Sequence, residues 1–398
     1  MTEKVVLAFS GGLGTIASLQ LLKHRFGPNV ITFTANLGQK SSTANLCRRA
    51  LELGACSAHI ADLRERFARD YIYPAVRAGA VYSSGYALAH ALARPLIVSE
   101  LVKIAREEGA AYIAHGCAGK SNDQVRFEVS AAALAPDLRV LSPLRENNLL
   151  RFDEVVRYCQ DQGLPSTVSN DTRFSITQNL YGSSVQWDRA PDAYADVPEG
   201  VYRMTRRLSE TPDDPGQVTL RFQGGIPVAL DGVEKSPVTL LEELAEVAGR
   251  HGVGRLTTIE DRLIGFKMLE VYEQPAATVL HAARSGLERM VLPQATLEWL
   301  SVPAQRYARL TYEGFWFSEL REALDAFFVK SSEYVTGEVR LRLFKGQCQV
   351  IGVRSEHSLY SQALAAPTTE GDAFAHSGLR GFMDTLRQSV QQPRAQDP

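Results

Sequence analysis

A glycine pair at the seam between a strand and a helix constrains this chain more than any other feature. Lys4 to Phe9 is a short β-rich run, Ser10-Gly11-Gly12-Leu13-Gly14 follows it, and Thr15 to His24 repeats apolar residues at helical spacing. A strand that turns directly into a helix through glycines exposes backbone N–H groups at the helix N-terminus, where the helix dipole favours an anion. Phosphate is the guest such a turn suits. Taken alone, the tripeptide is equally what a tight strand-to-helix turn of any doubly wound fold requires. It is not a Walker loop, because no Lys-Ser or Lys-Thr follows, and it lacks the spacing of the dinucleotide fingerprint.

The alternation continues. Val30 to Ala35 and Ser57 to Ala61 read as strands around a helix at Thr43 to Leu53. Leu92 to Glu107 reads as a helix before a strand at Ala111 to Ala114, and a strand at Leu138 to Leu141 precedes a helix at Phe152 to Gln162. Strands alternating with helices predict an α/β, doubly wound parallel sheet covered on both faces. Gly163-Leu164-Pro165 punctuates its end.

The pattern then changes. Val218 to Phe222 and Pro227 to Leu230 form a hairpin pattern around Gly224-Gly225, Leu240 to Gly249 is helical, and Glu338 to Leu343 with Gln347 to Val353 alternate around Lys345-Gly346. The expected organisation is a nucleotide-binding domain over 1–165, an α+β substrate and multimerisation domain over 166–365, and a C-terminal arm over 366–398 that frays at its end.

At 398 residues, two domains are the ordinary expectation. The 43 basic and 45 acidic residues leave a net charge of -2, which offers no electrostatic footprint for a polyanion, so nucleic acid is not an expected partner. Five widely spaced cysteines without a C-x-x-C pair suggest neither a disulfide framework nor a zinc site. No metal ligand set is expected. Met1-Thr2-Glu3-Lys4 runs straight into a strand, unlike a signal peptide, and no apolar run spans a membrane. A cytoplasmic location is the expectation.

Ser10-Gly11-Gly12-Leu13-Gly14-Thr15 resembles the S-G-G-x-D-S/T loop of the N-type ATP pyrophosphatases, and His115-Gly116-Cys117-Ala118-Gly119-Lys120-Ser121-Asn122-Asp123-Gln124-Val125-Arg126-Phe127-Glu128 resembles the H-G-x-T-G-K-G-N-D-Q-V-R-F-E segment of the argininosuccinate synthase family. Thr34 to Gln39 is similar to that family's adenosine-contacting stretch, and Ala93-Arg94-Pro95-Leu96 to the segment before its long helix. Later motifs extend the likeness to about residue 365.

The resemblance implies a ligase in which ATP, with Mg2+, adenylates the ureido oxygen of a citrulline-like substrate, releasing pyrophosphate, before the amine of aspartate or another amine displaces AMP. Such chemistry needs positioning and charge neutralisation rather than a nucleophilic side chain. It further implies that Ala8, Phe9, Ser10, Gly11, Gly12, Leu13, Gly14, Thr15, Ala35 and Gly116 hold ATP. Tyr86, Arg126, Ser175, Ser184, Glu260 and Tyr272 would take citrulline, Glu260 facing its α-amino group. Ala118 and Asp123 would take aspartate and Asn122 would touch both, with Asp123 and Arg126 the residues closest to the chemistry. Without the likeness, Asn122-Asp123-Gln124 would read as a polar loop capping a helix. A homotetramer is implied too.

The chain departs from the family inside this predicted site. Gly14 replaces an aspartate, Ile16 a serine or cysteine, Ala118 a threonine, Ser121 a glycine, and Met268-Leu269-Glu270 a Ser-Arg-Gly. Two readings follow: a ligase with altered substrates, or a weak or inactive homologue that binds nucleotide or amino acid as a regulator. On the first, restoring Asp at 14 and Thr at 118 should raise argininosuccinate formation. A tRNA-thiolating pyrophosphatase would share the loop but want catalytic cysteines and a basic surface.

Overall fold

Burial on both faces makes β1 (Val5–Ala8) the centre of the first sheet, since Val5, Val6 and Leu7 have no exposed surface. The computed structural model describes residues 3–39, 42–83, 85–117, 119–165, 174–187, 191–367 and 372–391. Around β1 lie β2 (Val30–Asn36), β3 (Ser57–Asp62), β4 (Tyr112–Ala114) and β5 (Arg139–Leu141), in the order β3-β2-β1-β4-β5, all parallel. The expected doubly wound sheet is present. The chain builds outward from β1 to β3, then crosses back to β4, so the connections diverge between β1 and β4. At such a switch point the loops beyond the strands' carboxyl ends separate and leave a crevice for a ligand.

The helices of this part are α1 (Leu13–Phe26), α2 (Thr43–Glu52), α3 (Arg64–Phe67), α4 (Tyr73–Ala78), α5 (Ala89–Glu108), α6 (Asn122–Leu134), α7 (Pro143–Glu146) and α8 (Phe152–Asp161). α5 is buried on most of its circumference because it packs against the sheet on one side and the second half of the chain on the other. It is entered through Leu88, a fully buried non-glycine residue at φ 66°, and left through Gly109 at φ 62°. A buried Leu in the left-handed region is held only by its surroundings.

The second half holds two antiparallel sheets. One runs β10-β9-β8-β13-β14 and consists of β8 (Gly216–Gln223), β9 (Ile226–Leu230), β10 (Val233–Glu234), β13 (Gly337–Phe344) and β14 (Gln347–Arg354). The other runs β11-β12-β7-β6, from β6 (Phe174–Asn179), β7 (Gly182–Trp187), β11 (Arg255–Asp261) and β12 (Lys267–Glu273). Both expected hairpins form. Helices α9 (Pro237–Arg250), α10 (Pro275–Val291), α11 (Gln294–Glu313) and α12 (Glu319–Ser331) complete it, each starting with Pro or Ser at or beside its first turn. One apolar core joins both halves, from Phe33 and Leu96 to Leu280 and Leu341.

Residues 1–357 form one compact unit and 358–398 another. The second carries α13 (His376–Gln391), whose Leu379, Phe382, Met383, Leu386 and Val390 recur at helical spacing and are exposed. Among the described residues no helix is long and apolar enough to cross a membrane, and the five cysteines are free thiols.

Candidate active site

The turn after β1 is built as its glycines require. Gly11 takes φ 71°, and Gly12 caps α1 without a side-chain acceptor; the Thr15 N–H turns back to the Gly12 carbonyl at 3.0 Å, and no described side chain takes the N–H groups of Leu13 and Gly14. Thr15 Oγ1 donates to the Gly12 carbonyl at 2.9 Å and lies 3.4 Å from Ser10 Oγ. Phe9 is locked to β2 by its N–H to Phe33 and by Thr34 Oγ1 donating to its carbonyl at 2.9 Å. Ala8 and Leu13 flank the turn. Beyond β2, Ala35 accepts from Gln39 Nε2 at 2.6 Å, and a cleft of about 380 Å³ lined by Asn36, Gly38, Gln39, Ser42 and Arg64 opens there.

The loop after β4 meets this turn glycine to glycine. A Cβ on Gly14 would stand 2.4 Å from the Gly116 carbonyl oxygen, and a Cβ on Gly116 would stand 2.7 Å from Thr15 Cα. The absence of an acid at position 14 is therefore matched by the backbone. A carboxylate there would need the Gly116 loop to retreat, so restoring Asp at 14 is not the simple gain expected from the sequence. Ala118, another of the substituted positions, lies outside the described residues.

α6 begins just beyond this loop. Ser121, not Asn122 or Asp123, is its cap, with Ser121 Oγ accepting from the Asp123 N–H at 3.2 Å. That frees both following side chains to point inward. Asp123 receives Arg126 Nη1 on one oxygen and Arg94 Nη2 on the other, each at 2.8 Å. Burial alone would raise its pKa, but the two guanidinium groups hold the carboxyl well below the usual carboxylate range. Arg126 also donates from Nε to the Tyr312 carbonyl at 2.8 Å and lies 4.8 Å from the centre of that ring. Arg126 Nη2 and Arg94 Nε are buried and have no hydrogen-bond partner among the described residues.

The wall opposite is aromatic. Tyr86 stacks on Tyr272 with centroids 4.0 Å apart, and Tyr82 on Tyr312 at 3.7 Å. Glu260 is fully buried, one oxygen accepting from the Tyr272 hydroxyl at 3.0 Å and the other from Tyr312. Asn122 bridges the same group, its Nδ2 donating to the Tyr312 hydroxyl at 2.6 Å and its Oδ1 accepting from the Leu263 N–H. Strand alternation brings in the rest. Ser184 pairs with both Tyr272 and Thr177, and Ser175 lies two residues from Thr177, so all four share one sheet face. Ser175 itself is exposed.

Tyr86, Asn122, Asp123, Arg126, Glu260 and Tyr272 thus meet in one buried network, with Ser184 and Ser175 on the adjoining sheet face. The glycine turn and Gly116 lie at the switch point next to it. The sequence reading missed Tyr312, Tyr82 and His90, and named Arg94 only within a motif. Tyr312 lies 190 residues from Asn122. No local pattern marks it, because it sits near the end of α11 among ordinary core positions. Glu270, one of the substitutions, is buried beside Arg262, which donates to it; burial outweighs that partner and pushes the carboxyl up to about 7.

Comparison with known proteins shows the family. The family model of the arginosuccinate synthase N-terminal HUP domain matches residues 4–165, and that of the arginosuccinate synthase C-terminal domain matches 174–391. The argininosuccinate synthase of Symbiobacterium thermophilum is 45% identical over 96% of this chain and 95% of its own length. Those of Dehalococcoides mccartyi and Acaryochloris marina are 42% and 44% identical over 96% of this chain and 94% and 95% of theirs. On both domains and along nearly its full length, the chain belongs to the argininosuccinate synthase family.

Proposed function

We propose that this carbon–nitrogen ligase joins citrulline to aspartate at the buried network, using ATP bound across the glycine turn. The observation that carries the reading is Asp123 held between Arg94 and Arg126 beside that turn. The N-terminal segment 1–165 serves the nucleotide and also brings Tyr86, Asn122, Asp123 and Arg126 to the amino acids, for which 166–365 supplies the rest of the wall.

The backbone N–H groups after Gly12 and the Gly116 loop receive the phosphates, while Ala35 borders the adenosine cleft. Arg126 meets the citrulline carboxylate with its unpartnered Nη2, and Tyr86, Ser175, Ser184 and Tyr272 enclose the substrate. The ureido oxygen attacks the α-phosphorus and pyrophosphate leaves. The aspartate amine then attacks the ureido carbon and AMP leaves with the bond to oxygen. Asp123 stays ionised, so it attracts and aims the incoming amine rather than stripping its proton. Glu260, oriented by the hydroxyls of Tyr272 and Tyr312, faces the substrate amine.

Among the described residues no group of three or more His, Cys, Asp or Glu could hold a metal ion. The described residues offer no ligand set for a resident Mg2+, which would come with the ATP. A homotetramer is proposed on the exposed apolar stripe of α13.

A pyrophosphate-release assay tests the reading. Release that depends on ATP, citrulline and aspartate together, with argininosuccinate formed, supports it. Release with another amine but not aspartate would replace the acceptor, and no release with any would favour the regulatory reading.

A further inference from the structure

His90 is the second residue of α5, two places after the strained Leu88, and is 5% exposed. Its backbone N–H donates to the Tyr86 hydroxyl at 3.0 Å, tying it to the substrate wall. Its ring Nε2 lies 3.1 Å from the Thr177 carbonyl oxygen. A carbonyl can only accept, so Nε2 carries the proton and Nδ1 is left as a bare acceptor. Nδ1 is buried, with no hydrogen-bond partner among the described residues.

The ring stays neutral. Burial and the positive charges of Arg94 and Arg126 pull it down to about 3, against the opposing pull of Asp123. It is therefore too weak a base to deprotonate an amine at neutral pH, and an acceptor throughout. Two bare donors, Arg94 Nε and Arg126 Nη2, lie in the same charged cluster. A buried acceptor and buried donors left open together match a ligand that offers both a carboxylate and an N–H. An α-amino acid offers both.

We propose that His90 Nδ1 accepts a hydrogen bond from the amine N–H of an amino-acid substrate whose carboxylate meets the open guanidinium donors, making His90 a specificity-determining residue of this site. This rests on the ligase reading above. On that reading, with Arg126 Nη2 on the citrulline carboxylate, the amino acid is citrulline, whose ammonium has N–H groups enough for both Glu260 and His90, and the experiment separates it from aspartate.

Steady-state KM values for ATP, citrulline and aspartate are measured on the full chain, as wild type, His90→Leu and His90→Asn. Losing one such bond to an amine corresponds to a rise of about tenfold in KM. His90→Leu is expected to raise KM for citrulline by that much, leaving KM for aspartate and for ATP within about twofold and kcat largely kept. His90→Asn, which retains a side-chain acceptor, is expected to recover part of the loss. An unchanged KM for citrulline in a wild-type-like background overturns the proposal. So does a joint rise in all three, or loss of folding in both variants, since the ring would then be a strut between Tyr86 and Thr177. Absence of turnover in the wild type instead overturns the ligase reading itself, and this inference with it.

Discussion

Adding one methyl group at Gly14 probes how tightly the two loops proposed to receive the phosphates are built against each other. A Cβ there stands 2.4 Å from the Gly116 carbonyl oxygen and 3.4 Å from Leu144 Cδ1. Non-bonded heavy atoms settle near 3.5 Å, so one loop must retreat by roughly 1 Å. Overpacking of that kind costs about 1–3 kcal/mol, while alanine recovers about 1 kcal/mol of helix propensity at this second position of α1. The net is a destabilisation of about 0–2 kcal/mol. For a cooperative unit of about 350 residues this lowers Tm by no more than about 3 °C. The larger effect is catalytic, because a displacement of about 1 Å in positioning groups can cost on the order of a hundredfold. Thermal melts and pyrophosphate release on Gly14→Ala are the assay. A variant as stable and as active as wild type would refute the glycine-to-glycine contact. On the same reasoning, Gly14→Asp alone should lose activity rather than regain it.

Gly12 offers the complementary case. A Cβ there meets only Ser10 Oγ, at 3.4 Å, so Gly12→Leu should fold normally yet lose ATP binding by calorimetry, since its side chain covers the backbone donors. Arg126→Ala should weaken citrulline about ten- to a hundredfold, the cost of one charge-assisted hydrogen bond, read as citrulline affinity with ATP affinity unchanged. Glu270 gives a pH signature. Its folded pKa of about 7 exceeds the ordinary carboxylate value of 4.5, so the folded state binds more protons between those limits and stability falls as pH rises through them. Glu270→Gln should remove up to about 3 kcal/mol of that decline, seen by comparing denaturant unfolding at pH 5 and pH 8.

Much of the proposed nucleotide side was legible as local structure. The turn after β1 needs glycine for a positive φ and a bare helix start, and both requirements are written in adjacent residues. The parallel sheet followed from alternation, and the two hairpins from glycines at their turns. The amino-acid side was legible only through the likeness of Asn122 to Arg126 and of the Ser175, Ser184 and Glu260 segments to a known family, because its wall is assembled by distant strands and helices. Tyr312, which touches Asn122, Arg126 and Glu260, carries no signal in its own neighbourhood. The helices between 275 and 331 went unread for a related reason: their apolar positions face several neighbours, so no single stripe stands out. His90 was invisible because a histidine in an alanine-rich helix start looks structural until its bare nitrogen is seen beside two arginines.

The most direct test of the account is turnover of the wild-type chain with ATP, citrulline and aspartate, following pyrophosphate and the amino-acid product together. Pyrophosphate release that requires both amino acids and yields argininosuccinate in equal amount is the result expected. Pyrophosphate without argininosuccinate, or no release when ATP and citrulline both bind, would contradict the claim that this network joins the two.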